Sequence, residues 1–281
     1  MPTVSVRGID LYYEEYGEGP HLIMAHGLMA SVALLESFGE RPQDIAARGL
    51  HVVAYDARGH GRSGYSTRRA DYRCEAQAED LRGLLDALGI ERASIYGGSM
   101  GAGTALMLAM AHPERVERLI LQSPPPFPED RKPAQRTFGG LSILFQLFGP
   151  RLTARMVTSL PAVRRSQQQA PGLDLHAFFA GQRRAAIVPA IRGLLLGEPQ
   201  VPVERLHEVQ HPTLVLTHPD DEIHPLRSGE ILHEHMPHAK LAVAPTPTYW
   251  QENPDALTHV VASFVKGEPV AIGLPERHAH R

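Results

Sequence analysis

The sequence predicts a doubly wound α/β fold with a mostly parallel sheet. Short apolar runs typical of buried strands alternate along the chain with stretches whose apolar residues recur at helical spacing. One step shows this clearly, because the apolar run Ala93–Tyr96 leads through a glycine-rich corner into the small-residue run Gly101–Ala111. Such alternation is typical of parallel strands with helices packed on both faces of the sheet.

The strands and helices are predicted in chain order as follows. Two alternating runs joined at a glycine predict a β-hairpin at the start, Thr3–Arg7 and Leu11–Tyr16. Further strands are predicted at His21–Ala25, His51–Tyr55, Ala93–Tyr96, Val116–Gln122, Thr213–Thr217 and Lys240–Ala244. Helices are predicted at Ser31–Phe38, Pro42–Arg48, Glu75–Leu88, Gly101–Ala111, Pro225–His235 and Pro254–Val265.

The composition indicates a globular protein without a nucleic-acid or membrane partner. Of 281 residues, 43% are hydrophobic and 21% are charged, and the net charge is -3. No apolar run is long enough to span a membrane or to serve as a signal peptide, and the single cysteine, Cys74, excludes an internal disulfide. We therefore expect a cytoplasmic protein. The histidines show no paired metal-binding spacing, so no metal and no cofactor is expected.

The alternation of strands and helices stops at Ser123-Pro124-Pro125-Pro126. From there to about Pro202, arginine is frequent and apolar residues recur at helical spacing, which predicts a helical insertion rather than a second domain. The chain is thus divided into a core, residues 1–124 and 203–268, an insertion, residues 125–202, and a loose tail, residues 269–281. Aromatic residues of the insertion are candidates for the wall of a pocket over the core: Phe145, Phe148, Phe178 and Phe179.

A serine lies at the corner between the fifth predicted strand and its helix. Ser99 is enclosed in Gly97-x-Ser99-x-Gly101, a pattern typical of a sharp strand-to-helix turn that exposes the serine hydroxyl. The glycines leave room for close packing, and the first amides of the helix point toward the same place. Ser99 is therefore a candidate nucleophile beside a site that can stabilise an anion.

Together with Ser99, three further motifs resemble the α/β-hydrolase superfamily. They are His26-Gly27 after the third strand, Asp56-x-Arg58-Gly59-x-Gly61-x-Ser63 after the fourth, and Asp220-Asp221-x-x-x-Pro225 after the strand Thr213–Thr217. The resemblance covers nearly the whole core and implies the α/β-hydrolase fold, with the insertion in the place of the family's lid. It implies that His26 and the Asp56–Ser63 turn shape loops near the site.

The resemblance also implies catalytic roles for the matching residues. Ser99 would be the nucleophile, and the backbone amides of Leu28 and Met100 would form the oxyanion hole. Asp221 matches the acid of the catalytic triad, with its neighbour Asp220 as the alternative.

The base of the triad departs from the family's pattern. A serine hydroxyl needs a base to take its proton, and the family places a histidine in the loop before the last helix. Here that position falls on or near Pro247, and the loop contains no histidine. His224, three residues after Asp221, is the first candidate for a replacement base, and His218 is the second.

These features predict a serine hydrolase that acts on a small ester, lactone or carbon–carbon bond next to a carbonyl, with an atypical or relocated base. Without a replacement base its activity would be impaired. Two alternatives stay open: a binding protein that keeps the pocket without turnover, and a lyase or isomerase that uses the same pocket. An imidazole within hydrogen-bond reach of Ser99 would favour the hydrolase. The predicted partner is a small molecule, and no oligomeric state is predicted.

Overall fold

The computed structural model describes residues 2–169, 172–198 and 200–270, and its centre is one eight-stranded sheet. The strands are β1 (Thr3–Val6), β2 (Ile9–Tyr16), β3 (His21–Ala25), β4 (His51–Tyr55), β5 (Ala93–Gly98), β6 (Val116–Gln122), β7 (Thr213–Thr217) and β8 (Ala239–Val243). They lie in the order β1-β2-β4-β3-β5-β6-β7-β8, with β1 and β2 antiparallel to their neighbours and all other pairs parallel. The predicted mostly parallel sheet is confirmed. Beyond Val270, the tail predicted from residue 269 lies outside the described residues.

Ten α-helices connect or follow the strands within the described residues. They are α1 (Pro42–Ala46), α2 (Cys74–Ala87), α3 (Met100–Ala111), α4 (Lys132–Ser159), α5 (Pro161–Gln169), α6 (Leu175–Ala180), α7 (Arg184–Leu194), α8 (Leu226–His235), α9 (Tyr249–Glu252) and α10 (Pro254–Lys266). The stretch predicted at Ser31–Phe38 forms a 3-10 helix, Val32–Phe38. Across the described ranges, each helix is too short or too polar to cross a membrane.

Alternate residues of the central strands face opposite sides of the sheet and pack against different helices. Ile23, Val53 and Ile95 lie in one buried cluster with α2 and α3, whereas Leu22 and Val52 lie in another with α1 and α10. All five side chains are inaccessible to solvent, and burial of each contributes about 1.5–3 kcal/mol. Helices therefore cover both faces of the sheet, which confirms the doubly wound prediction.

The carboxyl ends of the parallel strands meet at one edge of the sheet. His26 follows β3, Ser99 follows β5, Ser123 follows β6 and His218 follows β7. Because neighbouring parallel strands end side by side, the loops after them converge, and open α/β sheets bind their ligands at this edge. The topology thus brings together segments that are far apart in the sequence.

Helices α4 to α7 lie between β6 and β7, and three of them, α4, α6 and α7, share an apolar cluster. Phe145 and Ile191 of these helices are buried in this cluster together with Met29 and Tyr72 of the core. The long helix α4 is broken at Gly149, whose φ of 72° and ψ of 170° are not helical. The shared cluster attaches these helices to the rest of the chain. The division into core and insertion at residues 124 and 202 stays a prediction.

A buried ion pair joins the loop after β4 to α2. Nε and Nη2 of Arg58 donate to the two carboxylate oxygens of Asp80 at 2.7 and 2.6 Å. The side chains are 5% and 3% exposed, and Arg7 of the N-terminal hairpin adds a third bond to Asp80 at 2.8 Å. Asp80 therefore holds three separate segments of the core together.

A buried acidic residue, Glu40, lies close to the end of β5. It is 6% exposed, and its carboxyl group lies beside the hydroxyl of Tyr96. That hydroxyl donates in turn to Oε1 of Gln122. Burial raises the pKa of Glu40 to about 8, although the contact with Tyr96 acts in the opposite direction. Glu40 is therefore protonated at neutral pH.

Replacing Asp80 should destabilise the protein strongly. In Asp80→Ala the buried guanidinium of Arg58 loses its counter-charge, which costs about 3–5 kcal/mol when a buried pair is broken from one side. Urea unfolding followed by circular dichroism measures the free energy. Asp44→Ala is the control, because Asp44 pairs with Arg41 at the surface at 3.4 Å and should cost less than about 1 kcal/mol. Equal losses in the two variants would contradict the importance of the buried pair.

Glu40 should make the stability of the fold depend on pH. The unfolded carboxyl group loses its proton near 4.5 and the folded one near 8, so between these values the folded state binds one more proton. Stability therefore falls as the pH rises from about 5 to about 8. Glu40→Gln removes this dependence, and its melting temperature should fall less than that of the wild type across this range. Equal falls for both proteins in scanning calorimetry would show that Glu40 is not the titrating group.

Candidate active site

The chain turns sharply from β5 into α3 at Ser99. Ser99 has a φ of 50°, which is rare for a residue with a side chain, and its amide donates to the carbonyl oxygen of Gln122 at 2.9 Å. A Cβ on Gly101 would overlap the carbonyl oxygen of Ala25, and a Cβ on Gly97 would overlap the backbone of Gly101. Only glycine therefore fits at these two positions, one on each side of Ser99.

Ser99, His224 and Asp221 form a chain of hydrogen bonds. Nε2 of His224 lies 2.8 Å from Oγ of Ser99, and its Nδ1 lies 2.9 Å from Oδ2 of Asp221. Because a carboxylate only accepts hydrogen bonds, Nδ1 carries the proton and Nε2 is left to accept from the serine hydroxyl. This is the arrangement in which an imidazole can take a proton from a nucleophilic serine.

A tight turn after β7 holds Asp221 and His224 in this relation. Oδ1 of Asp221 accepts from the amides of Ile223 and His224 at 2.7 and 3.0 Å. Such a side-chain-to-backbone turn is common for aspartate in loops. Pro225 follows directly and α8 begins at Leu226, so the loop ends one residue after His224. The same short loop supplies both the carboxylate and the imidazole.

Asp221 is held in its charged form. Burial alone would raise the pKa of its carboxyl group, but the hydrogen bond from the His224 ring, with the two backbone amides, holds that pKa well below its usual range. Asp220, the alternative acid, is exposed and has a φ of 62°. It makes no hydrogen bond to His224 within the described part of the chain.

Two backbone amides beside Ser99 have no partner of their own. Leu28 follows Gly27, where a Cβ would lie 3.4 Å from Cβ of Ser99, and Met100 is the first residue of α3. Neither amide donates a hydrogen bond to any group among the described residues. Both residues line a pocket that Ser99 also lines. Two free donors at the positive end of a helix can stabilise an oxyanion.

His26 connects two loops and does not reach Ser99. Its Nε2 accepts from the amide of Ala57 at 3.0 Å, so its Nδ1 carries the proton and donates to the carbonyl oxygen of Gly27 at 2.7 Å. Burial lowers the pKa of His26 to about 4, which keeps the ring neutral. Asp56 adds a bond to the amide of Val32 at 2.7 Å. These contacts tie the loop after β3 to the loop after β4.

His218, the second candidate base, points elsewhere. Its Nε2 lies 3.4 Å from Oγ of Ser123 and 3.8 Å from Oδ2 of Asp221, and its Nδ1 lies 3.1 Å from the carbonyl oxygen of Pro219. Of the two candidates, the structure brings only His224 to Ser99.

Among the described residues, no group of three or more His, Cys, Asp or Glu side chains could hold a metal ion.

Pro247 lies where the family's histidine is expected. It lines the same pocket as Ser99 and His224, together with Thr248 and Gln251. Proline has no side-chain proton to transfer. The loop after β8 therefore contributes to the wall of the pocket without supplying a base at this position.

Two adjoining pockets open on Ser99. The wider has a volume of about 390 Å³, and Phe178 and Trp250 are among its lining residues. The narrower has a volume of about 50 Å³ and is lined mainly by apolar residues such as Leu194 and Val201. Glu40, which sequence reasoning missed, also lines the wider pocket. No motif or periodicity distinguishes this residue in the sequence.

Of the four aromatic residues predicted for the pocket wall, Phe178 lines the wider pocket. The prediction is wrong for the other three, because Phe145 and Phe179 are buried in the apolar cluster of α4, α6 and α7, and Phe148 is 46% exposed. Helical spacing indicates that a face is apolar but does not tell which neighbour that face meets. Phe138, which was not predicted, lines both pockets.

Comparison with known proteins agrees with this fold. A family model described as alpha/beta hydrolase fold matches residues 20–247. Two curated relatives are each 26% identical to the chain, over 94% of this chain and 94% of the relative. One is a 2-hydroxy-6-oxo-6-phenylhexa-2,4-dienoate hydrolase from Burkholderia cepacia. The other is a 2-hydroxy-6-oxononadienedioate/2-hydroxy-6-oxononatrienedioate hydrolase from Comamonas testosteroni.

A solved structure shows the same fold. The enol-lactonase from Burkholderia xenovorans LB400 superposes with a TM-score of 0.78 at 21% identity, and the match covers 94% of this chain and 100% of that one. The family model spans most of the sequence, including the strands that carry His26, Ser99 and Asp221 at their carboxyl ends. The chain belongs to the α/β-hydrolase fold family.

Proposed function

We propose that the protein is a serine hydrolase with a relocated base, acting on a small ester, lactone or carbon–carbon bond next to a carbonyl. The observation that carries the proposal is the 2.8 Å contact between Nε2 of His224 and Oγ of Ser99. The names of the two curated relatives, both hydrolases of 2-hydroxy-6-oxo compounds, support a substrate in which the reacting bond adjoins a carbonyl.

The proposed reaction runs through a nucleophile, a base that also acts as acid, and two oxyanion donors. Oγ of Ser99 attacks the substrate carbonyl while Nε2 of His224 takes its proton, and Asp221 stabilises the imidazolium that forms. The amides of Leu28 and Met100 donate to the oxyanion of the tetrahedral intermediate. When the intermediate collapses, His224 returns the proton to the leaving oxygen or carbon. Water then attacks the acyl-enzyme with His224 as base, and Ser99 is regenerated.

The relocated base satisfies the same physical requirement as the usual one. An imidazole acts as base when one ring nitrogen reaches the nucleophile and the other is oriented by an acid. His224 meets both conditions from the loop that carries Asp221. The impaired activity expected for a chain without a base therefore does not apply in this proposal.

We infer that residues 125–202 act as a lid. Helices from this segment contribute apolar residues to both pockets beside Ser99, including Phe138, Phe178 and Leu194. A mostly apolar space closed by such a segment suits a substrate with an apolar body and few polar groups. Removal of water from this space would strengthen the hydrogen bonds to the oxyanion.

We also propose that the protein acts in the cytoplasm on a small molecule, without a nucleic-acid partner. Its one cysteine, Cys74, is a free and buried thiol, which is typical of a reducing compartment. The net charge of -3 gives no basic surface excess of the kind that binds phosphate backbones.

An organophosphonate should label Ser99. The half-buried hydroxyl attacks phosphorus and displaces its leaving group, and the adduct places the polarised phosphoryl oxygen near the amides of Leu28 and Met100. Intact-mass measurement should show one added phosphonyl group on the wild type and none on Ser99→Ala. Labelling that survives in Ser99→Ala would place the nucleophile elsewhere.

The two candidate bases should differ sharply when replaced. His224→Ala should lower kcat on an activated ester by about a million-fold, because the base is lost while the oxyanion hole remains. His218→Ala is the matched control and should lower kcat by less than about tenfold, because its ring makes no bond to Ser99. Circular dichroism checks that both variants are folded. Full activity in His224→Ala, or equal losses in both, would overturn the assignment of His224.

A further inference from the structure

The loop of residues 26–30, here called the oxyanion loop, contains a strained turn. Met29 has a φ of 69°, and the amide of Ala30 donates to the carbonyl oxygen of Gly27 at 3.1 Å. A non-glycine residue stays in this conformation only where surrounding contacts hold it. Leu28 lies inside the turn, so the direction of its free amide depends on the contacts made by Met29.

Gln182 makes the side-chain contact to Met29 within this turn. It lies between α6 and α7, and its Nε2 donates to the carbonyl oxygen of Met29 at 2.8 Å and to that of Phe178 at 2.8 Å. An amide nitrogen has two hydrogens, and these two bonds use both. The side chain therefore links the end of α6 directly to the oxyanion loop, across 153 residues of sequence.

Arg183, the next residue, holds the turn after β4, which lies beside the oxyanion loop. Its Nη2 donates to the carbonyl oxygens of Gly61 and Ser63 at 2.8 and 2.5 Å. These oxygens belong to the turn whose Asp56 accepts from the amide of Val32 at 2.7 Å, three residues after Met29. Two consecutive residues thus connect α6 and α7 to the oxyanion loop and to the turn beside it.

We propose that Gln182 is a positioning residue that aims the amide of Leu28 into the oxyanion hole, with Arg183 holding the adjoining turn. This inference rests on the proposed function, because the Leu28 amide matters only if an oxyanion forms at Ser99. Gln182 acts through Met29 and touches no reacting atom. It makes the stabilisation of the transition state depend on the placement of α6 and α7 over the core.

The contribution of such a residue appears in kcat rather than in KM. The oxyanion exists in the transition state and not in the bound substrate, so a misplaced donor weakens the transition state alone. Loss of one oxyanion donor lowers kcat by about 100-fold to 1,000-fold in a well-studied serine protease. A donor that is displaced rather than deleted should cost about 10-fold to 100-fold.

The test compares two glutamines of the α4 to α7 segment. Gln182→Leu removes the donor to Met29 and leaves an uncharged side chain that is one atom shorter. Gln135→Leu is the matched control, because its Nε2 donates to the carbonyl oxygen of Leu195 at 3.2 Å, away from the oxyanion loop. Gln182→Leu should lower kcat on an activated ester by about 10-fold to 100-fold with KM changed by less than about threefold. Gln135→Leu should leave both constants within about twofold of the wild type.

A second measurement separates positioning from general loosening. A boronic acid forms a tetrahedral adduct on Ser99 that resembles the transition state, so Gln182→Leu should weaken its binding by about the same factor as kcat. Values of kcat and boronate affinity in Gln182→Leu that match those of Gln135→Leu would overturn the inference, and so would an effect on KM alone. Failure of the wild type to react at Ser99 would instead overturn the proposed function, and this inference with it.

Discussion

The proposed chemistry depends on one hydrogen bond, between Oγ of Ser99 and Nε2 of His224. Its partners are 125 residues apart, and they meet because β5 and β7 end at the same edge of the sheet with only β6 between them. The turn closed by Asp221 then sets the direction of the ring. Sheet register, strand order and a local turn must all be correct for this contact to form.

Much of the fold could be predicted because its signals are local. Strand and helix patterns depend on residues within a few positions of one another, and the predicted bounds of the core elements differ from the observed ones by no more than two residues. The corner at Ser99 could also be predicted, because its neighbouring backbone leaves no space for a Cβ at Gly97 or Gly101. This requirement is visible in the sequence, because only glycine can occupy these two positions.

The choice of base could not be made from the sequence, because His218 and His224 lie equally close to Asp221 along the chain. Their difference comes from loop conformation, which turns His218 toward Ser123 and His224 toward Ser99. Glu40 and Gln182 carry no local signal at all. The environment of Glu40 depends on its burial beside Tyr96. The contact of Gln182 depends on the carbonyl oxygen of Met29, which is far away in the sequence.

The placement of Asp221 and His224 on one turn has a consequence for how this site can diverge. In the usual arrangement the loop after β8 must hold a histidine in exact register with an acid on another loop, which limits the residues that this loop can accept. Here Pro247, Thr248 and Gln251 line the pocket, and none of these positions has to hold a histidine. In the proposed mechanism, substrate preference can therefore change by substitution in one loop while the residues that transfer the proton stay intact in another loop, so that selectivity and turnover can evolve as separable traits.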